Sequence, residues 1–299
     1  MNHFSHIYLR FLTSYVCNYS CSFCHNEGIR CTSKEDLPLE LYRKILSAMN
    51  RIGLHKIKFV GGEPLLSPSL EEYISDSLQV LPQSQIGITS NGFFTENIIK
   101  VLERFPHLSI TISLPSINAQ RYYKTTGSDS LTNVLSTVEQ ISSMGGNLTI
   151  NTVVDSEEHF LELPSFLEYC FTKAVRVKLI IPCNTPTMNC AFDSLTLQTK
   201  LLSFLAERGW TAEETQQNQI KINYADGMEL NVTVPYCPQL CKDLHSSIQT
   251  IRLTPDGIIK ACLLDNSKNI KLASNISEDE IFDILYKIVS NPLPCDFDK

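Results

Sequence analysis

Three cysteines stand close together near the start of the chain, at Cys17, Cys21 and Cys24, with the spacing C-x3-C-x2-C. A short loop with this spacing can direct three thiolates at a single inorganic cluster, and Cys thiolates are the usual ligands of iron–sulfur clusters. Because a [4Fe–4S] cubane normally takes one thiolate per iron, three ligands leave one iron open to bind and activate a small molecule. The loop therefore predicts a [4Fe–4S] cluster with a free coordination position.

Two other interpretations of these thiols are a zinc site and unrelated buried cysteines. A structural zinc site prefers two C-x2-4-C pairs that close a tetrahedron, and buried cysteines often serve only in packing. The chain has eleven cysteines in 299 residues. Its first residues lack the basic and then apolar run of a secretory signal. We therefore expect a cytoplasmic protein whose cysteines serve metal sites rather than disulfides.

The overall composition is that of a globular protein. Hydrophobic residues make up 43% of the chain and charged residues 19%, enough apolar material to build a core. The net charge is −7 without a basic run, which argues against a broad nucleic-acid surface. No apolar stretch approaches the length of a membrane span. These features favour a small-molecule enzyme over a nucleic-acid or membrane protein.

Six β-rich runs alternate with helical stretches in the first part of the chain. The predicted strands are Ile7–Leu12, Lys56–Val60, Gln85–Thr89, Leu108–Ser113, Asn147–Val154 and Val175–Ile181. The predicted helices are Leu39–Ile52, Pro68–Val80, Thr95–Arg104, Ser130–Met144 and Ser156–Tyr169, with Thr95 and Ser156 as caps. Such βα units form parallel sheets, and six are too few to close an eight-stranded barrel. The pattern predicts an α/β fold, an open (β/α)6 partial TIM barrel, over residues 1–182.

Candidate site residues fall where the predicted strands end. The cysteine loop follows the first strand, Gly61–Pro64 the second and Thr89–Gly92 the third, while Ser113 closes the fourth. In parallel α/β proteins the chemistry lies at the carboxyl ends of the strands. These segments are therefore expected to meet in one site.

The remaining residues, 183–299, follow a different pattern. We expect a helix at Leu195–Arg208, strands at Gln219–Asn223 and Met228–Val234, and a hairpin over Ile251–Lys260 around a Pro-Asp-Gly turn. Three further cysteines, Cys237, Cys241 and Cys262, accompany them. This part of the chain is predicted to be a small C-terminal α+β iron–sulfur cluster domain that covers the substrate.

The motifs together resemble those of the radical S-adenosylmethionine (SAM) superfamily, and in particular its GTP 3′,8-cyclase branch. The matching segments, apart from the cysteine loop, are Cys24–Gly28, Val60–Pro64, Thr111–Leu114, and Arg252–Gly257 with Cys262–Leu263. The first two are widespread in the superfamily, whereas the Arg-Leu-Thr-x-Asp-Gly segment followed by Cys-Leu is typical of the cyclase branch. The resemblance runs from about Tyr8 to Leu264.

The resemblance implies that SAM is the cofactor. It would be cleaved reductively by the cluster, and the 5′-deoxyadenosyl radical would abstract a hydrogen atom from a substrate in the barrel. The residues that the resemblance and the neighbouring strand-end motifs assign to SAM are Phe23, Gly61, Gly62, Glu63, Thr89, Asn91 and Ser113. No side chain stands out as a general acid or base.

The resemblance also implies a second [4Fe–4S] cluster on Cys237, Cys241 and Cys262. The gaps between these cysteines, three and twenty residues, are longer than those of the cyclase branch. Structural zinc, with His245 as a fourth ligand, and free thiols therefore stay open as alternatives.

The resemblance also implies a small phosphorylated substrate, with a nucleotide favoured. Arg10, Lys58 and Arg252 match substrate cations of the cyclase branch, while Thr149 and Thr250 stand where that branch has basic residues. An electron donor such as flavodoxin or ferredoxin is expected as a partner. The alternatives are a peptide-modifying radical SAM enzyme with an auxiliary cluster and a non-catalytic zinc-binding scaffold.

Overall fold

The fold is a single mixed sheet with helices packed on its outer face. The computed structural model describes residues 7–28, 36–182, 193–214, 219–223, 229–233, 249–263 and 265–290. Its strands are β1 (Ile7–Ser14), β2 (Leu54–Gly61), β3 (Ile86–Ser90), β4 (Ser109–Ser113), β5 (Asn147–Val153), β6 (Arg176–Ile180), β7 (Thr211–Glu214), β8 (Gln219–Asn223), β9 (Glu229–Thr233), β10 (Gln249–Leu253), β11 (Ile258–Lys260) and β12 (Ile270–Lys271). Its α-helices are α1 (Leu39–Arg51), α2 (Leu70–Ser77), α3 (Thr95–Arg104), α4 (Ala119–Thr126), α5 (Leu131–Ser143), α6 (Leu163–Thr172), α7 (Ser194–Ala206) and α8 (Glu278–Ser290).

The six predicted strands pair in chain order and in parallel, as the alternation of strands and helices requires. Two strands from the C-terminal part extend this parallel region. β10 pairs in parallel with β1, and β9 pairs in parallel with β6. The predicted partial barrel is confirmed, and its wall is wider than six strands. Short antiparallel pairs, β11 with β12 and β8 with β7, complete the two edges.

The parallel strands curl around an interior. Arg10 lies on β1 and Lys178 on β6, five strands along the sheet. In a flat sheet they would be about 24 Å apart, since neighbouring strands are spaced by about 4.8 Å. The sheet instead curls into a partial barrel, and Arg10 and Lys178 both point into it, because their strand neighbours Phe11, Val177 and Leu179 are buried under the helices. Burial, and then the charges of Arg10 and Lys56, lower the pKa of Lys178 to about 8.

The two faces of each strand have different surroundings. On β1, Phe11 points outward and packs against Tyr42 of α1 and Tyr73 of α2, with ring centroids 5.0 and 4.8 Å away. Its neighbour Arg10 points the other way, because successive side chains of a strand alternate between faces. The same alternation places Lys58 of β2 inside the barrel. The helices thus cover an apolar outer face, and polar side chains line the interior.

Some local predictions were wrong. Thr95 begins α3 instead of capping it, and its hydroxyl bonds Thr137 Oγ1 at 2.6 Å. Ser156 precedes a 3₁₀ helix, Glu157–Leu161, and makes no side-chain cap bond. Helix α4 and strand β7 were not predicted at all. For α4 the signals were present: Asn118 caps its first turn by accepting from the Arg121 amide at 3.1 Å.

The C-terminal strands share the sheet of the N-terminal part. The predicted hairpin is confirmed, with Arg252 of β10 opposite Lys260 of β11. The sheet is continuous on both sides of the predicted boundary at residues 182 and 183, and that boundary stays a prediction. Helix α8 packs on α1, where Arg51 pairs with Asp279 at 2.8 Å. Because β10 pairs with β1, C-terminal residues lie beside the cysteine loop.

Candidate functional site

The cysteine loop lies directly after β1, at the carboxyl end of the sheet. Cys17 and Cys24 are exposed and Cys21 is half-buried. The backbone of the loop is fixed on one side by the end of α4: the Ser20 and Ser22 amides donate to the carbonyls of Thr126 and Thr125 at 3.1 and 2.9 Å. The helix that sequence reasoning missed is therefore one support of the ligand loop.

The loop is also held through a buried tyrosine cluster. Tyr19, between the first two cysteines, shares a hydrogen bond with Ser130, and its hydroxyl accepts from Tyr122 at 3.0 Å. The Tyr19 amide donates to the Cys17 sulfur at 3.4 Å. Hydrogen bonds to cluster sulfurs tune the potential of an iron–sulfur centre, so this amide is placed where it would affect one.

The thiols of the loop are suited to a metal rather than to free thiolate chemistry. Burial, with a smaller effect of neighbouring charges, raises the pKa of Cys17 and raises that of Cys21 to about 12. Metal binding must therefore displace protons from them. Within the described residues no three Cys, His, Asp or Glu side chains gather around one ion. Thiolates that bind different irons of a cluster do not need to share one coordination sphere.

Gly61 and Gly62, at the end of β2, are needed because the cysteine loop passes very close to them. The Gly62 and Glu63 amides donate to the carbonyls of Ser14 and Val16 at 2.7 and 2.8 Å, which extends the β1–β2 pairing into the loop. A Cβ on Gly62 would lie 2.1 Å from the Val16 oxygen, and Gly61 has φ +133°. These glycines permit the backbone approach that fixes the loop. Their predicted contact with SAM stays a prediction.

The Glu63 side chain joins the end of β2 to the end of β3. Its side chain is fully buried and accepts from the Ser90 hydroxyl and the Asn91 amide, both at 2.8 Å. Burial raises its pKa to about 7. The Asn91 side chain then donates to Asn18 in the cysteine loop at 2.7 Å. Glu63 and Asn91 thus connect the ends of β2 and β3 to the cluster loop.

The remaining residues assigned to SAM lie around the same edge. Thr89 of β3 and Ser113 of β4 are half-buried at the carboxyl ends of their strands, and Phe23 is half-buried within the loop. The structure therefore places these residues on one side of the barrel, as predicted from the strand order. Their roles toward SAM stay predictions.

Of the second set of cysteines, Cys237, Cys241 and the alternative ligand His245 lie outside the described residues. Cys262 follows β11 and is half-buried. The auxiliary cluster therefore stays a prediction.

Two of the predicted substrate cations are paired with an acid that sequence reasoning missed. Glu27 is buried between Arg10 and Arg252: Arg10 donates from Nε at 3.1 Å and from a terminal nitrogen, and Arg252 Nε donates at 2.7 Å. Burial alone would favour the neutral acid, but the two guanidinium groups hold the pKa of Glu27 far below its usual range. The signal was present in the motif Cys24–Gly28, since Glu27 is the only acidic residue in the sequence from Cys17 to Gly28.

Lys58, the third predicted substrate cation, lies opposite Arg10 in the β1–β2 register and has no acid beside it among the described residues. Its ammonium donates to Thr111 Oγ1 at 2.7 Å and reaches Ser109 Oγ at 3.5 Å. A Cβ on Gly87 would lie 2.9 Å from it, so the glycine on β3 leaves room for the ammonium. Burial first, and then the charges of neighbouring cations, lower the pKa of Lys58 to about 7.

The Pro-Asp-Gly turn reaches back to the start of the cysteine loop. Asp256 accepts from the Tyr15 hydroxyl at 2.8 Å and pairs with Lys271 at 2.9 Å. Hydrogen bonds from Thr254 and these two partners outweigh burial and lower the pKa of Asp256 to about 2. The turn that was recognised as a motif therefore also braces the residue two positions before Cys17.

Comparison with known proteins agrees with this geometry. Residues 11–170 match the radical SAM superfamily. The GTP 3′,8-cyclase of Helicobacter pylori is 26% identical over 261 residues, which cover 86% of this chain and 80% of that protein. The enzyme of the same name from Sulfurimonas denitrificans is 25% identical over 293 residues, with 95% and 89% covered. The described chain contains no helix long and apolar enough to cross a bilayer.

Solved structures show the same fold at low sequence identity. Streptococcus suis SuiB bound to S-adenosylmethionine aligns with a TM-score of 0.69 at 14% identity, covering 96% of this chain and 68% of that one. The structure of anSMEcpe with bound AdoMet aligns with a TM-score of 0.64 at 14% identity, covering 93% and 80%.

We predict that Gly62→Ala displaces the cysteine loop. The added methyl would collide with the Val16 carbonyl, so the unfolding free energy should fall by about 1–3 kcal/mol and reconstituted iron should drop. Gly145→Ala is the control, because nothing lies within 4 Å of a Cβ there although the backbone is left-handed. Iron analysis and thermal unfolding of both variants provide the measurement. Equal iron content in the two variants would contradict the proposed role of Gly62.

We predict that Glu27→Gln is strongly destabilising, by about 3–5 kcal/mol, because it removes a buried carboxylate and leaves two half-buried guanidinium groups without their counter-charge. The control is Glu40→Gln, which breaks the exposed 3.1 Å pair with Lys44 and should cost about 0–1 kcal/mol. Urea unfolding of both variants measures the difference. A similar loss in both would show that the buried pairing contributes little.

Proposed function

Because the chain belongs to the radical SAM superfamily, we propose that it generates a 5′-deoxyadenosyl radical and uses it on a small phosphorylated nucleotide. The thiols of Cys17, Cys21 and Cys24 would hold the cluster. The main support for this substrate class comes from the interior of the barrel. Lys58 and other cations face inward there, and their strands contain no acidic residue.

The cysteine loop fits a [4Fe–4S] cluster by its donors and its rigidity. The three thiols are soft ligands of the type that iron–sulfur clusters take, and the loop backbone is fixed by hydrogen bonds on both sides. Cys17, Cys21 and Cys24 would hold the cluster, which when bound and reduced would supply the electron for cleavage of SAM into methionine and the 5′-deoxyadenosyl radical. The protein's own contribution is to hold the ligand loop, to orient SAM and substrate, and to exclude water.

The residues proposed to bind SAM form the edge between the cysteine loop and the barrel. Phe23, Thr89 and Ser113 would contact it with their side chains, and Gly61 and Gly62 with their backbone. Glu63 and Asn91 would act mainly by positioning, since their polar atoms bond neighbouring strands and the loop. SAM at this edge would lie above the cation-lined interior, which places a substrate there within reach of the radical.

A nucleotide substrate is supported by the relatives and by the charge of the barrel. The relatives are named GTP 3′,8-cyclase, and phosphate groups are recognised by Arg and Lys. Arg10 and Arg252 retain free donor capacity beside Glu27, because a guanidinium carries five N–H groups. The reaction would be a cyclisation or rearrangement of the nucleotide. An external one-electron donor, such as flavodoxin or ferredoxin, would reduce the cluster.

A peptide substrate is the second candidate. One aligned structure is SuiB bound to precursor peptide SuiA, with a TM-score of 0.71, but at 12% identity this likeness concerns the fold alone. The inward cations favour a polyanion over a peptide of ordinary charge. Binding experiments with nucleotides and peptides separate the two.

We expect the reconstituted protein to release 5′-deoxyadenosine under anaerobic reduction, several-fold faster with a nucleotide triphosphate such as GTP than with guanosine. Replacing Cys17, Cys21 and Cys24 together with Ala should abolish the release. Cys170→Ala, which removes a buried thiol in α6 away from the loop, serves as the control and should retain it. Chromatographic quantification of 5′-deoxyadenosine is the measurement. Cleavage that survives in the triple variant would refute the cluster assignment.

We also expect about eight irons per chain, falling to about four when Cys237, Cys241 and Cys262 are replaced with Ala, since each cubane holds four. Iron and acid-labile sulfide analysis after anaerobic reconstitution checks this. About four irons in both proteins would remove the auxiliary cluster. Zinc in place of iron would instead support the non-catalytic scaffold.

A further inference from the structure

The Cys17 sulfur receives hydrogen-bond donors from two segments of the chain. The Tyr19 amide donates to it at 3.4 Å, and Asn91 Nδ2 reaches it at 4.0 Å. Asn91 follows β3, and its backbone is fixed by the bond from its amide to the Glu63 carboxylate at 2.8 Å. Tyr19 lies within the cysteine loop, so its amide keeps its direction only if the loop conformation is fixed. The contacts that fix Tyr19 therefore affect the Cys17 sulfur.

The Tyr19 side chain ends in a directed chain of hydroxyl groups. Tyr122 of α4, which is fully buried, donates to the Tyr19 hydroxyl at 3.0 Å. Because the Tyr19 hydroxyl accepts from Tyr122, its own proton is available for its second partner, Ser130. The Ser130 hydroxyl in turn bonds the Ser128 hydroxyl at 2.8 Å. The position of the Tyr19 ring is therefore fixed by hydrogen bonds from α4 and from the start of α5.

Ring packing and the backbone restrict Tyr19 further. Its ring meets Phe93 and Tyr122 edge to face, with ring centroids 6.2 and 6.4 Å away. Such arrangements are the favoured geometry of aromatic pairs. The next residue, Ser20, donates its amide to the Thr126 carbonyl at 3.1 Å. The side chain of Tyr19 and the peptide that follows it are therefore both held by α4.

We propose that Tyr19 is a positioning residue for the cluster: its ring and hydroxyl fix the loop so that its amide stays on the Cys17 sulfur, and this bond makes the cluster easier to reduce. The inference rests on the proposed function, since it requires a cluster on Cys17. A hydrogen bond to a thiolate becomes stronger as negative charge is added, and reduction adds one electron. Loss of the bond therefore disfavours the reduced state that the proposed reaction needs.

The test compares Tyr19→Phe, Tyr122→Phe and Tyr42→Phe in the reconstituted protein. Tyr19→Phe removes the hydroxyl that bonds Tyr122 and Ser130, whereas Tyr122→Phe removes one donor and leaves Tyr19 bonded to Ser130. Tyr42→Phe is the matched control, because it also deletes a buried hydroxyl, which bonds Ser77 at 2.6 Å, but on the outer face of the barrel. Anaerobic redox titration followed by electron paramagnetic resonance measures the midpoint potential. The signal to follow is the one that changes when SAM is added, because the cysteine loop is proposed to hold the cluster that binds SAM.

Tyr19→Phe should lower the ratio of reduced to oxidised cluster about threefold or more at a fixed potential, which corresponds to a shift of about 30 mV toward more negative values for a one-electron couple. Tyr122→Phe should shift the potential in the same direction by a smaller amount. Tyr42→Phe should leave the potential unchanged. Iron content and thermal unfolding of each variant show whether the cluster is bound and the chain is folded.

The outcomes distinguish this inference from the proposed function. If Tyr19→Phe and Tyr122→Phe keep the wild-type potential at full iron content, the role of Tyr19 is overturned while the proposed function stands. An equal shift in Tyr42→Phe also overturns it, because a general loss of stability would then explain the effect. If Tyr19→Phe loses its iron, Tyr122→Phe decides, since Tyr19 keeps its bond to Ser130 in that variant. If the wild-type protein takes up no iron, the proposed function fails and this inference fails with it.

Discussion

The structure depends on the way in which the cysteine loop is fixed. The segment that carries Cys17, Cys21 and Cys24 is neither a strand nor a helix, so its backbone groups need hydrogen-bond partners from elsewhere. The extension of β2 at Gly62 and Glu63 supplies partners on one side, and the end of α4 at Thr125 and Thr126 supplies them on the other. The glycines, the buried Glu63 and the tyrosine cluster follow from this requirement.

The second constraint is charge in a partly closed interior. Cations on facing walls repel, and burial makes each of them more costly to ionise. The chain resolves this in two ways. Glu27 pairs with both Arg10 and Arg252, so its one negative charge offsets part of their two positive charges. Among the described residues no acid pairs with Lys58 or Lys178, and their pKa values are lowered to about 7 and 8 instead. An interior in which buried lysines lie near other cations is suited to an anionic ligand, because the anion would stabilise their charged form.

The C-terminal part of the chain contributes strands to the wall of the barrel. β10 pairs beside β1, which brings Arg252 to Glu27, 225 residues earlier in the chain. The turn after β10 brings Asp256 to Tyr15, at the base of the cysteine loop. This hairpin therefore contacts both the start of the ligand loop and the acid that pairs with Arg10. These contacts explain why the cyclase-like motif in this region matters for the structure.

The sequence alone determined the features that depend on local spacing. The cysteine motif, the βα alternation, the strand ends and helix α3 at Thr95–Arg104 follow from patterns within a few residues, and the structure confirms the elements. The tertiary structure decided the pairings of residues far apart. No local pattern could show that Glu27 joins two arginines, that Gly62 meets the Val16 carbonyl, or that Lys178 and Arg10 point into the same interior. These depend on which strands become neighbours and how strongly the sheet curls, and the packing of the whole chain sets both.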